Sequence, residues 1–600
     1  MKLAEVQIEN FRCIRSLTWK LNKNLNVLVG ENDAGKTAII DSIHLVLGSV
    51  AQEQFSHLVE EDFRWGTNEL RVTCKFDELG NDAKYFVEYL TYEGDNEKTP
   101  YLYVSMQSEL TGNERWPIST KFLCGRPVKV KEIKEGKICF SANGGQFDFE
   151  VRQHLKATYL KPLRDAEREL RARRGSRLSI LINRLLKGTS KEEEIIKAIK
   201  DFEEVLDEGF SDAHGRVLRE LINMLFQDDE AKIKLGLSSP QELKNILERL
   251  DLSFTDNRGL GYSNLLVIAT ELSLFDSGFK LLMVEEPEAH LHPQLQLKLA
   301  RHLSALDSAQ IILTTHSPNL ASKFKISAIT IVKNGDVFPM NSTKLTNDDK
   351  EFLERFLDVT KANLFFARGV FLVEGESEEL LLPTIARLLN KDITDNGSSI
   401  VKVGSKAALR YANVFLRTDE KVLGIPVAIL TDKDIVPIEM KEVHKKTNYN
   451  KEDVGEIKPI NDGSVKTFIS NYWTLEYDLA LGDNKGNNLA RELLQALYRL
   501  QGEEEYIKKG ENLYNQMLTY FNNDYAKVAS QLMYIFESTN TTKGDFSDLV
   551  RKGKPEMAQT LALILEETKP DNLAEKLPSY LTEAIAHVTF ITPKPFTEEL

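Results

Sequence analysis

The chain has 600 residues, a formal net charge of −14 and a hydrophobic fraction of 42%. That length exceeds what one core sustains, so about two to four domains are expected. The acidic balance argues against a broadly basic nucleic-acid coat without excluding a local basic channel, and no segment approaches the ~20 apolar residues of a membrane span. The first residues, MKLAEVQIENFRCIRSL, lack the apolar centre of a signal peptide. Cys13, Cys74, Cys124 and Cys139 show no metal-ligand spacing. A reduced, cytoplasmic setting is the simple expectation.

In chain order, the first informative stretch is 25-LNVLVGENDAGKTAIIDSIHLVL-47. An apolar strand runs into a loop containing Gly30, Asn32, Gly35, Lys36 and Thr37, and an amphipathic helix follows. This is G-x-x-x-x-G-K-T in its strand–loop–helix setting. The glycines let backbone N–H groups face phosphates, and the helix N-terminus adds partial positive charge. Lys36 would reach the β- and γ-phosphates of ATP, and the Thr37 hydroxyl would bind Mg²⁺. Next, 159-YLKPLRDAERELRARRGSRLSIL-181 carries Lys161, Arg164, Arg168, Arg171, Arg173, Arg174 and Arg177. It reads equally as a DNA-facing or nucleotide-facing arm or as a solvated helix with pairs such as Glu167–Arg171. Residues 156–250 repeat apolar positions at three- and four-residue intervals without sustained heptads. That predicts a helical insert used for dimerisation.

Beyond the insert, 256-DNRGLGYSNLLVIATEL-272 opens a helix with glycine turns and Ser263. The buried strand of 280-KLLMVEEPEAHLHPQLQ-296 ends in Glu285 and Glu286. Glu285 would hold the Mg²⁺ shell, and Glu286 would orient or deprotonate the attacking water. His290 and His292 lack a third zinc ligand nearby and read as a loop. In 310-QIILTTHSPNL-320 a further strand ends in His316, placed to sense the γ-phosphate.

A hairpin-like piece, 328–340, and a charged stretch precede a domain boundary near residue 345. The C-terminal part then offers carboxylates at strand ends. Glu374 and Glu378 lie in 371-FLVEGESEELLLPTIARLL-389, Asp432 and Asp434 in 426-PVAILTDKDIVP-437, and Glu476 in 472-YWTLEYDLAL-481. Parallel strands bring their C-terminal ends to one edge. If Asp432 and Asp434 lie on a strand, they share a face. Such acids repel one another unless cations neutralise them, and Mg²⁺ accepts hard oxygen ligands. Two ions would clamp the attacking and leaving oxygens of a phosphodiester.

The ordered set of phosphate loop, insert, signature-like loop at Ser263, EEPE and TTHS resembles ABC-type ATPase heads of the SMC and RecF group. The series E-G-x-x-E, a glycine turn at Gly404 and D-x-D resembles a TOPRIM domain. The combination is identified as that of the OLD (overcoming lysogenisation defect) family of nucleases, which the Gabija nuclease subunit and retron-associated effectors share. The resemblance implies an α/β protein: ATPase head in 1–155 and 251–345, insert in 156–250, and TOPRIM domain with helical additions in 346–600. It implies metal binding by Glu374, Glu378, Asp432, Asp434 and Glu476, with Mg²⁺ or Mn²⁺; Asp478 is an alternative to Glu476. It also maps a transition-state lysine onto Lys554 in 551-RKGKPEMAQTLALIL-565, with Lys552 as the alternative. The implied function is nucleotide-regulated DNA cleavage in anti-phage defence, by a dimer or tetramer. A helicase, or a retron reverse transcriptase with its msDNA, would be the partner. A RecF-like DNA-binding clamp with a non-catalytic TOPRIM domain is the competing reading. A topoisomerase would need a nucleophilic tyrosine that no motif marks.

Overall fold

The structure is a computed structural model. It describes residues 1–600 except 49–57, 94–98, 113–116, 130–139, 143–144, 156, 162–232, 238–249, 255–259, 274–278, 405–406, 445–458, 538–552 and 590–600. The chain divides into two compact units, Met1–Met340 and Asn341–Leu600.

Two main sheets build the first unit. One is antiparallel, in the order Ile14–Lys20, Lys2–Phe11, Glu69–Asp77, Thr99–Leu110 and Leu90–Glu93, with Ile118–Cys124 also paired to Thr99–Leu110. The second runs Ala157–Leu160, Leu281–Glu285, Gln310–Thr314, Leu25–Val29, Ile329–Lys333 and Asp336–Pro339. Its first five strands are parallel. The strands Leu25–Val29, Leu281–Glu285 and Gln310–Thr314 are buried at every position. That explains their unbroken apolar runs: a parallel strand covered on both faces has no polar side to alternate with. The helix Lys36–Leu47 buries Ile39, Ile40, Ile43, Val46 and Leu47 in a core shared with Phe11, Trp19 and Phe76.

The insert departs from its all-helical expectation at two points. Ile233–Leu237 and Leu250–Phe254 form an antiparallel ladder, and both alternate apolar and polar residues. That period of two suits strands better than a helix. Ala157–Leu160, placed at the start of the insert by sequence, is a strand of the parallel sheet. The expected dimerisation hairpin and Arg164–Arg177 lie outside the described residues.

The second unit is built on one sheet in the order Ser398–Lys402, Gly369–Val373, Val427–Thr431, Val465–Ile469 and Asn461–Asp462. The first four strands are parallel. Gly369–Val373 is wholly buried. Phe371 and Val373 join a core with Leu381, Leu382 and Ile385 of the helix Glu376–Leu388, and with Leu561, Ile564 and Leu565 of the helix Lys554–Thr568. Both helices therefore begin near the same sheet region, and their first turns carry the acids and lysine singled out above. Among the described residues no helix is long and apolar enough to cross a membrane.

Candidate functional site

In the first unit, strand register assembles the nucleotide-loop residues. Glu285 pairs with Thr314, and Thr314 with Leu28. Gly30 and His316 each follow two residues after those positions, so loop, acidic strand and histidine share one sheet edge. Gly30 has φ +146°, and a Cβ there would meet Val332 O at 2.4 Å. Only glycine allows that turn at that approach. Lys36 Nζ donates to Gly30 O at 2.9 Å and Glu31 O at 2.6 Å. Burial lowers Lys36 to about 8 against the pull of Glu286, Asp33, Glu285 and Glu31. Asn32 and Thr37 are exposed.

Glu285 is buried at the strand end, and burial raises its carboxyl while Thr37 and Tyr159 lower it. Glu286 adopts φ +45° and donates its N–H to Thr314 O at 3.1 Å. This turn brings Glu286 Oε1 within 3.7 Å of His316 Nε2. Burial and then Lys36 lower the imidazole, partly opposed by Glu286. His316, Lys36 and the two glutamates thus share one electrostatic environment. A hydroxyl at Thr37 and a carboxylate at Glu285 form the hard-oxygen donor set that Mg²⁺ accepts.

Sequence reasoning passed over three residues here. Glu288 Oε1 accepts from Thr315 Oγ1 at 2.6 Å and from His316 N at 2.9 Å, so it shapes the histidine turn. Tyr159 and Asp41 stand behind Glu285. His292 caps the helix Pro293–Ala305 by accepting from Gln294 N at 3.3 Å. Ser263 lies on the first turn of the helix Leu260–Ser273, beside Asn264, whose amide donates to Ala289 O at 2.8 Å. No described hydrogen bond joins Ser263 to the phosphate loop.

In the second unit, Glu374 directly follows the buried strand Gly369–Val373 and accepts from Thr431 Oγ1 at 2.9 Å. Burial raises its carboxyl, Thr431 lowers it, and Asp434 raises it further. Asp432 accepts from Leu475 N at 3.1 Å. Burial, then Glu378 and Glu476, push it up to about 8, with Lys554 pulling the other way. Glu476 is buried, accepting from Ser377 Oγ at 2.9 Å on one oxygen and meeting Lys554 Nζ at 3.2 Å on the other. Lys554 stands at the first turn of its helix. Burial lowers it, but Glu476, Asp432 and Glu378 outweigh that and hold it raised. Glu374, Glu378, Asp432, Glu476 and Lys554 therefore influence one another directly.

Three expectations change in detail. Asp432 and Asp434 do not share a strand face, because the strand ends at Thr431. Asp434 lies in a turn with φ +54° and is exposed, whereas Asp432 is half-buried. Asp478 is committed elsewhere: its carboxylate accepts from Asn471, Tyr472 and Trp473 N–H groups. Glu378 has a structural task too, since its Oε2 accepts from Gly375 N at 3.1 Å and so caps the start of its own helix. Lys552 lies outside the described residues.

Among the described residues no three His, Cys, Asp or Glu side chains converge tightly enough to hold a metal ion as they stand. The acids are neighbours rather than a closed cage. Mutual repulsion between these half-buried and buried carboxylates opposes closure without added positive charge. Their chemistry still fits a hard divalent cation: the donors are all oxygen, and burial has not been balanced by Lys554 at Asp432, Glu374 or Glu378.

The chain joins a parallel sheet carrying a phosphate loop to a second parallel sheet edged with acids, and two domain families match these two parts. The AAA ATPase domain family matches residues 1–110 and 148–321. The TOPRIM domain of overcoming-lysogenization-defect-like proteins matches residues 365–434. The OLD nuclease of Thermus scotoductus is 24% identical over 73% of this chain and 83% of its own length. Endonuclease GajA of Bacillus cereus is 23% identical over 81% of this chain and 74% of its own. The Retron Ec83 probable ATPase of Escherichia coli is 23% identical over 56% of this chain and 72% of its own.

Proposed function

We propose that this chain is a nucleotide-regulated, divalent-metal-dependent DNA endonuclease acting in anti-phage defence. The observation that carries the reading is the grouping of Glu374, Glu378, Asp432 and Glu476 with Lys554 at the end of the second unit's parallel strands. Two relatives, the OLD nuclease and endonuclease GajA, point the same way. A retron-associated relative supports the defence role.

Glu374, Glu378, Asp432, Asp434 and Glu476 would hold Mg²⁺ or Mn²⁺. When bound, the ions supply positive charge and polarise water and phosphate oxygens for a two-metal displacement. The residues of the chain do the rest. Lys554 meets the negative charge that develops on the phosphate. Ser377 holds Glu476 and Thr431 holds Glu374, so two of the acids are already anchored when the cluster closes on the ions. In the first unit, the loop with Gly30, Asn32, Gly35, Lys36 and Thr37 binds ATP, and Glu285 completes the Mg²⁺ shell. Glu286 orients water, His316 reads the γ-phosphate, and Ser263 serves the nucleotide of a second copy in a dimer or tetramer. A helicase or a retron reverse transcriptase with msDNA is the fitting partner.

The test is supercoiled plasmid incubated with the purified full chain, with EDTA, Mg²⁺ or Mn²⁺, and with or without ATP. Metal-dependent nicking, lost in Asp432→Ala and altered in its ATP response by Lys36→Ala, is expected. ATP-dependent DNA binding without cleavage under any of these conditions would replace the endonuclease with a RecF-like clamp.

A further inference from the structure

The Tyr159 hydroxyl stands between two carboxylates of the first unit, 3.0 Å from Glu285 Oε2 and 3.1 Å from Asp41 Oδ1. The strand Ala157–Leu160 places it there, running parallel to Leu281–Glu285 with Tyr159 opposite Met283. Its ring packs on His44 at a centroid distance of 4.9 Å. His44 and Asp41 lie three residues apart on the helix that follows the phosphate loop, so both meet Tyr159 from one helix face. Asp41 is held from its other side: its Oδ2 accepts from Arg12 Nη1 at 2.6 Å. Arg12 Nε in turn donates to Asp62 Oδ1 at 2.8 Å. The contacts form a continuous line, Glu285–Tyr159–Asp41–Arg12–Asp62.

A phenol carries one proton and cannot donate fully to two carboxylates at once. Arg12 supplies a charge-assisted partner to Asp41, which leaves the phenolic proton for Glu285. We propose that Tyr159 is a positioning residue for Glu285, setting the orientation in which that carboxylate and the Thr37 hydroxyl receive the nucleotide's Mg²⁺. The role rests on the ATPase reading given above. It also gives the strand Ala157–Leu160 a purpose that none of the nucleotide-binding motifs supplies. Outer partners that orient a metal ligand are worth roughly 10–100-fold in metal affinity or activity.

Tyr159→Phe removes only the hydroxyl and keeps the ring against His44. Binding of a fluorescent ATP analogue to the full chain is titrated with Mg²⁺ for wild type, Tyr159→Phe and Lys36→Ala, alongside steady-state ATP hydrolysis. For Tyr159→Phe the half-saturating Mg²⁺ concentration rises about 10-fold, while analogue binding in EDTA and the melting temperature stay at wild-type values. Its kcat falls by a similar factor, with KM for ATP within about twofold, the pattern of a lost transition-state interaction. Wild-type Mg²⁺ dependence and kcat in Tyr159→Phe overturn the positioning role, and so does an equal loss of binding with and without Mg²⁺. A wild-type chain that binds no analogue, or binds it as well as Lys36→Ala does, overturns the ATPase reading itself before the tyrosine is tested.

Discussion

At the scale of single residues, Glu378 carries two duties that one substitution can separate. Its carboxylate caps Gly375 N, and it adds negative charge around Asp432. Glutamine can still accept the capping hydrogen bond but carries no charge. Glu378→Gln should therefore keep stability within about 0.5 kcal/mol, whereas Glu378→Ala should lose about 0.5–2 kcal/mol with the cap. Both should weaken Mn²⁺ binding, measured by calorimetric titration against urea-denaturation stability. If Glu378→Gln leaves metal affinity intact, its role is the cap alone. Lys554 offers a second residue-level prediction. Lys554→Ala should lower the nicking rate by about 10²–10³-fold in single-turnover plasmid assays, with metal affinity maintained or increased because a competing cation is gone. Loss of metal binding instead would show that Lys554 only holds Glu476 in place.

Among elements, the segment Asn471–Trp473 and the helix Leu475–Leu481 show how one buried acid can organise a site without belonging to it. Asp478 accepts three consecutive backbone N–H groups, and Asp432 accepts the Leu475 N–H at the start of the same helix. The turn places Glu476 toward Ser377 and Lys554. Asp478→Ala would strand the buried Trp473 N–H, at a cost of about 1–3 kcal/mol, and release the part-buried N–H groups of Asn471 and Tyr472, so chemical denaturation should show a loss of at least about 1 kcal/mol. Asp478→Asn keeps an acceptor oxygen and should lose less. A near-neutral Asp478→Ala would contradict this account. In sequence, Glu476 and Asp478 looked interchangeable, being two acids on one short helix. Only the path of the preceding loop separates them. The same limit applied to Asp432 and Asp434, whose i, i+2 spacing would share a face on a strand but not beyond the strand's last residue.

For the molecule as a whole, pH reports on the acid cluster. Burial and neighbouring acids push Asp432 up to about 8, and burial also raises Glu374 and Glu378. A carboxyl whose pKa is raised on folding holds a proton in the folded state that the unfolded chain, with an ordinary value of about 4, has released. Folding stability contributed by these groups is therefore present at low pH and falls as pH rises through the interval up to about 8. In EDTA, scanning calorimetry should show the melting temperature of the wild type dropping between about pH 6 and pH 8.5 more steeply than that of Asp432→Asn. Mg²⁺ should narrow that difference, since bound cations favour the ionised acids. Equal pH slopes for the two proteins would mean that Asp432 does not titrate in this range.

The phosphate loop, the acidic strand at Glu285 and the buried strand ending at Glu374 were legible in the linear chain. Each depends on a short apolar run meeting a glycine or an acid, and buried parallel strands impose that pattern locally. The α/β class followed from the same runs. Residues whose importance comes from distant neighbours were not legible. Tyr159 meets Glu285 across 126 positions, Ser377 meets Glu476 across 99, and Lys554 meets Glu476 across 78. Nothing in spacing records such pairings, because strand order and helix packing bring the partners together. The chain by itself determined which chemistries were available, through residue type and local pattern. The tertiary structure decided which acids face one another, which are engaged by backbone N–H groups, and which cation stands among them, because those outcomes depend on burial and on contacts made only when the sheets assemble.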